Sequence, residues 1–281
     1  MALITFNFES QYLGNAQTVY IIMPDKPREM DAKDFYTGDK KYRVLWLLHG
    51  SFDDGSGWLR RTMVETYARE KDLIVVMPSA LNSNYVNWND FGMGFRMGDF
   101  LTEELMPAVQ AWFPASPRKE DNFIAGDSMG GGGALKYILA HPDKFAAAAM
   151  LSSAPTDPAE IDWEGKEDKG MGFRSIANDR FAKMVQNAGG KDAWLASVEN
   201  GWDRIVEMHE AGTLPKMLFA CGQKDRLYPG YKHFEEMCKE KGMDVAFFEL
   251  PDLAHEWRFW DKALVESLKF FEINEKGFIA F

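Results

Sequence analysis

The segment Gly126-Asp127-Ser128-Met129-Gly130 sets a serine between two glycines, after a short apolar run and before a stretch of helical period. In that context a G-x-S-x-G pattern makes a strand-to-helix elbow, so sharp that side chains beside the serine would strike neighbouring backbone. The hydroxyl of Ser128 would then stand at a helix N-terminus, where developing negative charge is favoured. An alkyl hydroxyl is a poor nucleophile at neutral pH. The chemistry therefore demands a histidine to take its proton and a carboxylate to orient that histidine.

After Ser128 come His141, His209, His233 and His255. His141 closes the helix that Ser128 opens, while His209 and His233 fall inside helical periods. His255 follows the last apolar strand, 245–250, and the loop Pro251-Asp252-Leu253-Ala254, immediately ahead of the final helix. That position sets it over the sheet edge carrying the elbow. The chain order serine, acid, histidine points to Asp225, which ends Gly222-Gln223-Lys224-Asp225 just past the strand at 217–221. Asp252 is the competing acid, on the histidine's own loop. A tetrahedral oxyanion needs two donors, expected from the amide of Met129 and from that of Ser51 in Leu47-Leu48-His49-Gly50-Ser51. Phe52 replaces Ser51 if the loop is one residue longer, and His49 reads as architectural.

These residues need a scaffold that brings four loops to one edge. Short apolar runs at 18–23, 43–49, 73–77, 122–125, 146–151, 217–221 and 245–250 read as strands. Helical periods at 57–70, 98–112, 129–140, 231–241 and 257–271 lie among them. This alternation implies an α/β architecture with a mostly parallel sheet and helices on both faces. Residues 3–9 and 18–23 are joined by a short glycine-containing connection and should form an antiparallel hairpin at one edge. Residues 156–214 show no strand, so one domain with a cap-like insertion is expected. Trp163, Trp194 and Trp202 of the insertion, with Trp257, are candidate pocket-lining residues, although tryptophans of this kind also pack an insertion onto its host.

With 281 residues, 46% of them hydrophobic, the chain is long enough for one large domain. No apolar run approaches the roughly 18 to 20 residues that span a bilayer, and the N-terminal residues lack the pattern of a secretory signal. A cytoplasmic location and no membrane partner are expected. The formal charge of -11 disfavours nucleic acid. Cys221 and Cys238 are too few for a disulfide framework and do not cluster with histidine, so no metal and no cofactor are expected. The apolar tail 277–281 would need burial, either within the chain or in a homo-oligomer.

The runs LLHGSFDDGSGWLR, AGDSMGGGGAL and CGQKDRLYPG, and above all His255-Glu256-Trp257 with Trp260, resemble the tributyrin esterase branch of the esterase D family of α/β-hydrolases. That family includes feruloyl esterases and S-formylglutathione hydrolases, and the resemblance covers nearly the whole chain. It implies a metal-independent carboxylesterase acting on small acyl esters, with Ser128, Asp225 and His255 as its triad. Formylglutathione hydrolases carry a cysteine and a threonine after the oxyanion strand, where Ser51-Phe52-Asp53-Asp54 stands here. This departure weakens the thioester reading. A thioesterase or acyltransferase using the same triad, a peptidase of the same fold, and a non-catalytic binding module are the rivals.

Overall fold

The structure, a computed structural model, describes residues 1–92, 94–163 and 174–274, with backbone alone at 174–179. The tail 277–281 and much of the acidic stretch after Asp157 lie outside the described residues.

Runs such as VLWLL, IVVMP and AAAML are buried at every residue, as strands covered on both faces must be. They belong to β3 (Val44–Leu48), β4 (Ile74–Pro78) and β8 (Ala147–Leu151) of an eight-stranded sheet. The others are β1 (Ala2–Ser10), β2 (Asn15–Met23), β7 (Asn122–Asp127), β9 (Lys216–Gly222) and β10 (Ala246–Leu250), and a separate two-stranded hairpin pairs β5 (Asn87–Trp88) with β6 (Phe95–Arg96). The order across the sheet is β1-β2-β4-β3-β7-β8-β9-β10. The β1/β2 and β2/β4 pairs are antiparallel and the rest parallel. This is the α/β-hydrolase fold, with the antiparallel edge where the sequence places it. The five adjacent parallel strands β3, β7, β8, β9 and β10 end on the same side, so the loops after them converge on one edge.

Beneath that edge, Phe259, Trp260, Leu264 and Leu268 of the last helix pack with Leu45, Leu47, Phe123, Ala149 and Leu218 of the sheet. The final helix, Trp257–Phe270, is thereby anchored by its apolar stripe, which fixes the loop entering it.

Two helices differ from the sequence expectation. The period at 57–70 is broken into Gly57–Arg61 and Val64–Glu70. Thr62 is extended between them; its hydroxyl donates to the Trp58 carbonyl at 2.5 Å and accepts from the Val64 amide at 3.2 Å, offering the backbone a local alternative to helix. The period at 98–112 contains a π-helical turn over Phe100–Leu105, in which the Met106 amide reaches back to Leu101. Pro107 follows, and a proline ring clashes with the carbonyl four residues earlier, so the preceding turn widens.

By itself, the segment Pro155–Leu214 forms a second compact unit, the first being Met1–Ala154 with Pro215–Phe281. Among the described residues its α-helices are Arg174–Asn187, Lys191–Leu195 and Gly201–Glu210. Asn200 caps the last of these by accepting from the Asp203 amide at 3.3 Å.

Candidate active site

At the end of β7 the backbone of Ser128 takes φ 51° and ψ -115°. A non-glycine residue pays about 1–3 kcal/mol for such a conformation and keeps it only where its surroundings impose it. Here the Ser128 amide donates to the Leu151 carbonyl at 2.7 Å, tying the elbow to β8. A Cβ on Gly126 would lie 2.4 Å from the Gly130 carbonyl carbon, and one on Gly130 would lie 2.4 Å from the Leu48 carbonyl oxygen. Both contacts are with backbone, so no rotamer change could relieve them; the helix start nests against the end of β3 only because both positions are glycine.

The hydroxyl of Ser128 meets His255 Nε2 at 2.9 Å, and His255 Nδ1 meets Asp225 Oδ2 at 2.8 Å. The carboxylate fixes the tautomer: Nδ1–H donates to Asp225, leaving Nε2 to accept from the serine. Asp225 also accepts from the Leu227 amide at 2.9 Å, and its side chain is wholly buried while that of His255 is 21% exposed. Burial pushes the Asp225 carboxyl up, but the hydrogen bonds from His255, Leu227 and Ser152 outweigh it and hold the group below the usual carboxylate range. The loops carrying acid and histidine are joined by backbone, Gln223 N–H to Leu250 and Lys224 N–H to Leu253, at 3.0 and 2.9 Å. Asp252, the competing acid, is 81% exposed and pairs with Lys224 at 2.6 Å. Such a serine can be deprotonated as it attacks an acyl carbon, and the histidine can return the proton to the leaving group.

The loop after β3 comes directly against the elbow, since a Cβ on Gly50 would lie 3.3 Å from Ser128 Cβ. Ser51 is the next residue of that loop, while Met129 opens the helix Met129–Ala140. The amide of Phe52, the alternative donor, is bound to Asn82 Oδ1 at 2.9 Å. His49 is fully buried. Its Nδ1 donates to the Gly50 carbonyl at 2.7 Å and its Nε2 accepts from the Ala80 amide at 2.8 Å. Burial lowers its pKa, so it stays neutral and cross-links two loops.

Sequence reasoning passed over Asp127, the residue between the elbow glycine and serine. It is buried, its carboxyl lies against Gly50, and its Oδ1 has no hydrogen-bond partner among the described residues. Burial, with the charge of Asp53 adding, pushes its carboxyl up to about 8. An acid whose folded pKa is raised binds its proton more tightly when folded, so its contribution to stability falls as pH rises from about 4 to about 8. Asp127→Asn mimics the protonated form and is expected to remove that decline. The stability difference between variant and wild type, from denaturant midpoints, should shift in the variant's favour between about pH 5 and pH 8.5, by on the order of a few kcal/mol. A difference independent of pH would contradict this.

The Esterase family model matches residues 10–271. The chain belongs to the Esterase family. An acetyl esterase of Caldicellulosiruptor saccharolyticus is 27% identical over 274 residues, 96% of this chain and 97% of that one. Among solved structures, the S-formylglutathione hydrolase of Staphylococcus aureus is 27% identical with a TM-score of 0.76, covering 97% of this chain and 99% of that one. A fluorophosphonate-binding serine hydrolase of the same bacterium is 26% identical with a TM-score of 0.76, covering 98% and 99%. The chain is a carboxylic ester hydrolase.

In this esterase Trp257 is half-buried, edge-on to Trp58 and to Trp260 at 5.2 and 5.0 Å, with the Arg61 guanidinium 5.1 Å from its ring. It is Trp260 that meets the His255 ring edge-on, at 5.1 Å. Trp163 and Trp194 form a cluster with Phe181 inside the segment Pro155–Leu214, with ring centres 5.5 to 5.9 Å apart. Trp194 and Trp202 are buried. Among the described residues no helix is long and apolar enough to cross a membrane.

Proposed function

We propose that this esterase is a serine carboxylesterase that hydrolyses short-chain acyl esters, acetyl and butyryl among them, through an acyl-enzyme. The observation that carries the reading is the continuous hydrogen-bonded row Ser128, His255, Asp225 on a strained elbow. Ser128 Oγ attacks the ester carbonyl while His255 Nε2 takes its proton, and the carbonyl oxygen gathers charge between the amides of Met129 and Ser51. Collapse of the tetrahedral species expels the alcohol with the proton from His255. Water, deprotonated by the same imidazole, then attacks the acyl-enzyme and releases the acid. Asp225 stabilises the imidazolium in both halves without taking its proton.

The likeness to an acetyl esterase along almost the whole chain supports a small acyl group. The likeness to an S-formylglutathione hydrolase supports a second reading, thioester hydrolysis with the same residues. A panel of p-nitrophenyl esters from acetyl to decanoyl, with feruloyl esters and S-formylglutathione beside it, separates the two. Highest kcat/KM is expected for acetyl or butyryl esters, each misfitting methylene costing about 1 to 3 kcal/mol. A marked preference for the thioester would move the assignment to thioesterase.

A further inference from the structure

We infer that Ser152 and Trp260 are positioning residues for the acid–histidine pair, a buried relay behind Asp225 that sets how strongly this carboxylate holds the imidazolium. The inference rests on the serine-hydrolase reading above.

Ser152 is the first residue beyond β8, the strand between those that deliver Ser128 and Asp225. It is wholly buried and takes φ 50°, in the left-handed region that a side chain disfavours. Its amide donates to the Ala220 carbonyl of β9 at 2.7 Å, which ties this turn to the strand that leads into the acid loop. The oxygen of that hydroxyl accepts from the Trp260 indole N–H at 3.0 Å. With its acceptor site so occupied, the hydroxyl has its own proton to give, and it helps hold the Asp225 carboxyl below the usual carboxylate range. The same indole lies edge-on against the His255 ring. One tryptophan therefore touches both ends of the charge pair, the imidazole by its ring and the carboxylate through Ser152. A buried polar side chain in a strained backbone, held by an indole beside a candidate catalytic acid, is poorly explained by packing alone.

The hydroxyl draws negative charge on Asp225 away from His255. Around this carboxylate the other donors are the Leu227 amide and His255, and the buried Cys221 thiol on β9 feels its charge. Glu249 on β10 acts on that thiol, and Glu256, beside His255, is bound to the Ala254 amide. Removing the Ser152 hydroxyl leaves more charge facing the imidazole and stabilises its protonated form, so the enzyme should need a higher pH to become active.

Two variants test this on p-nitrophenyl acetate. Ser152→Ala keeps the strained Cβ, and Ser152→Gly relieves it. If the relay positions the pair, both lower kcat by about tenfold with KM little changed, and both move the acid limb of the kcat/KM profile upward by about half a pH unit. Trp260→Phe should shift the limb in the same direction, and combined with Ser152→Gly it should add little further. If Ser152 is only structural, the alanine and glycine variants differ in thermal midpoint while the limb stays where wild type has it. A limb unmoved in Ser152→Gly, or moved to lower pH, overturns the inference. Should wild type itself show no esterase turnover, the underlying functional reading fails instead, which is a separate outcome.

Discussion

Ser128→Ala is expected to lower kcat on p-nitrophenyl acetate by about 10⁴- to 10⁶-fold, because without the hydroxyl no acyl-enzyme forms and only water attack assisted by the oxyanion donors remains. The variant should fold as wild type does. Alanine keeps the Cβ that Ser128 already holds at φ 51°, and the amide bond to Leu151 does not involve the side chain. Equal thermal midpoints with lost turnover would assign the loss to chemistry. Turnover within tenfold of wild type would remove Ser128 from the mechanism.

Asp225→Asn should cost about 10⁴-fold in kcat. An amide in place of the carboxylate can present its NH₂ to His255 Nδ1 and hold the opposite tautomer, with the proton on Nε2 facing the serine that needs an acceptor there. The Leu227 amide, now 2.9 Å from a carboxylate oxygen, would find a neutral acceptor. Asp252→Asn is the control. That carboxylate stands 81% exposed against Lys224, and its loss should change kcat by less than about twofold, as for an exposed ion pair. Reversal of the two effects, measured on the same ester, would exchange the assignment of the acid.

Much of this arrangement is legible in the chain because it depends on local pattern. Glycines at 126 and 130 announce an elbow, since no other residue fits against Leu48 and the helix backbone. Uniformly apolar five-residue runs announce buried parallel strands, and the parallel order brings the loops after 48, 127, 222 and 250 to one edge. What escapes depends on partners distant in sequence. Nothing near Phe52 shows that Asn82, thirty positions on, captures its amide. Nothing near Ser152 shows that an indole 108 positions away will hold its hydroxyl. Asp127 sits within the very motif that marks the serine, yet its burial follows from the packing of Gly50 and the elbow, which spacing does not encode. The breaks at Thr62 and Pro107 were readable in principle, from a hydroxyl able to bond its own helix and from a ring that displaces the preceding turn. Apolar periodicity continues across both and hides them.

The most direct measurement is covalent trapping. The esterase is incubated with a fluorophosphonate, its intact mass is recorded, and the modified peptide is sequenced, with Ser128→Ala treated in parallel. The mechanism predicts one adduct per chain, on Ser128, forming as hydrolysis of p-nitrophenyl acetate disappears, and none on the variant. An adduct on another residue, or an enzyme that hydrolyses the ester while Ser128 stays unmodified, would contradict it.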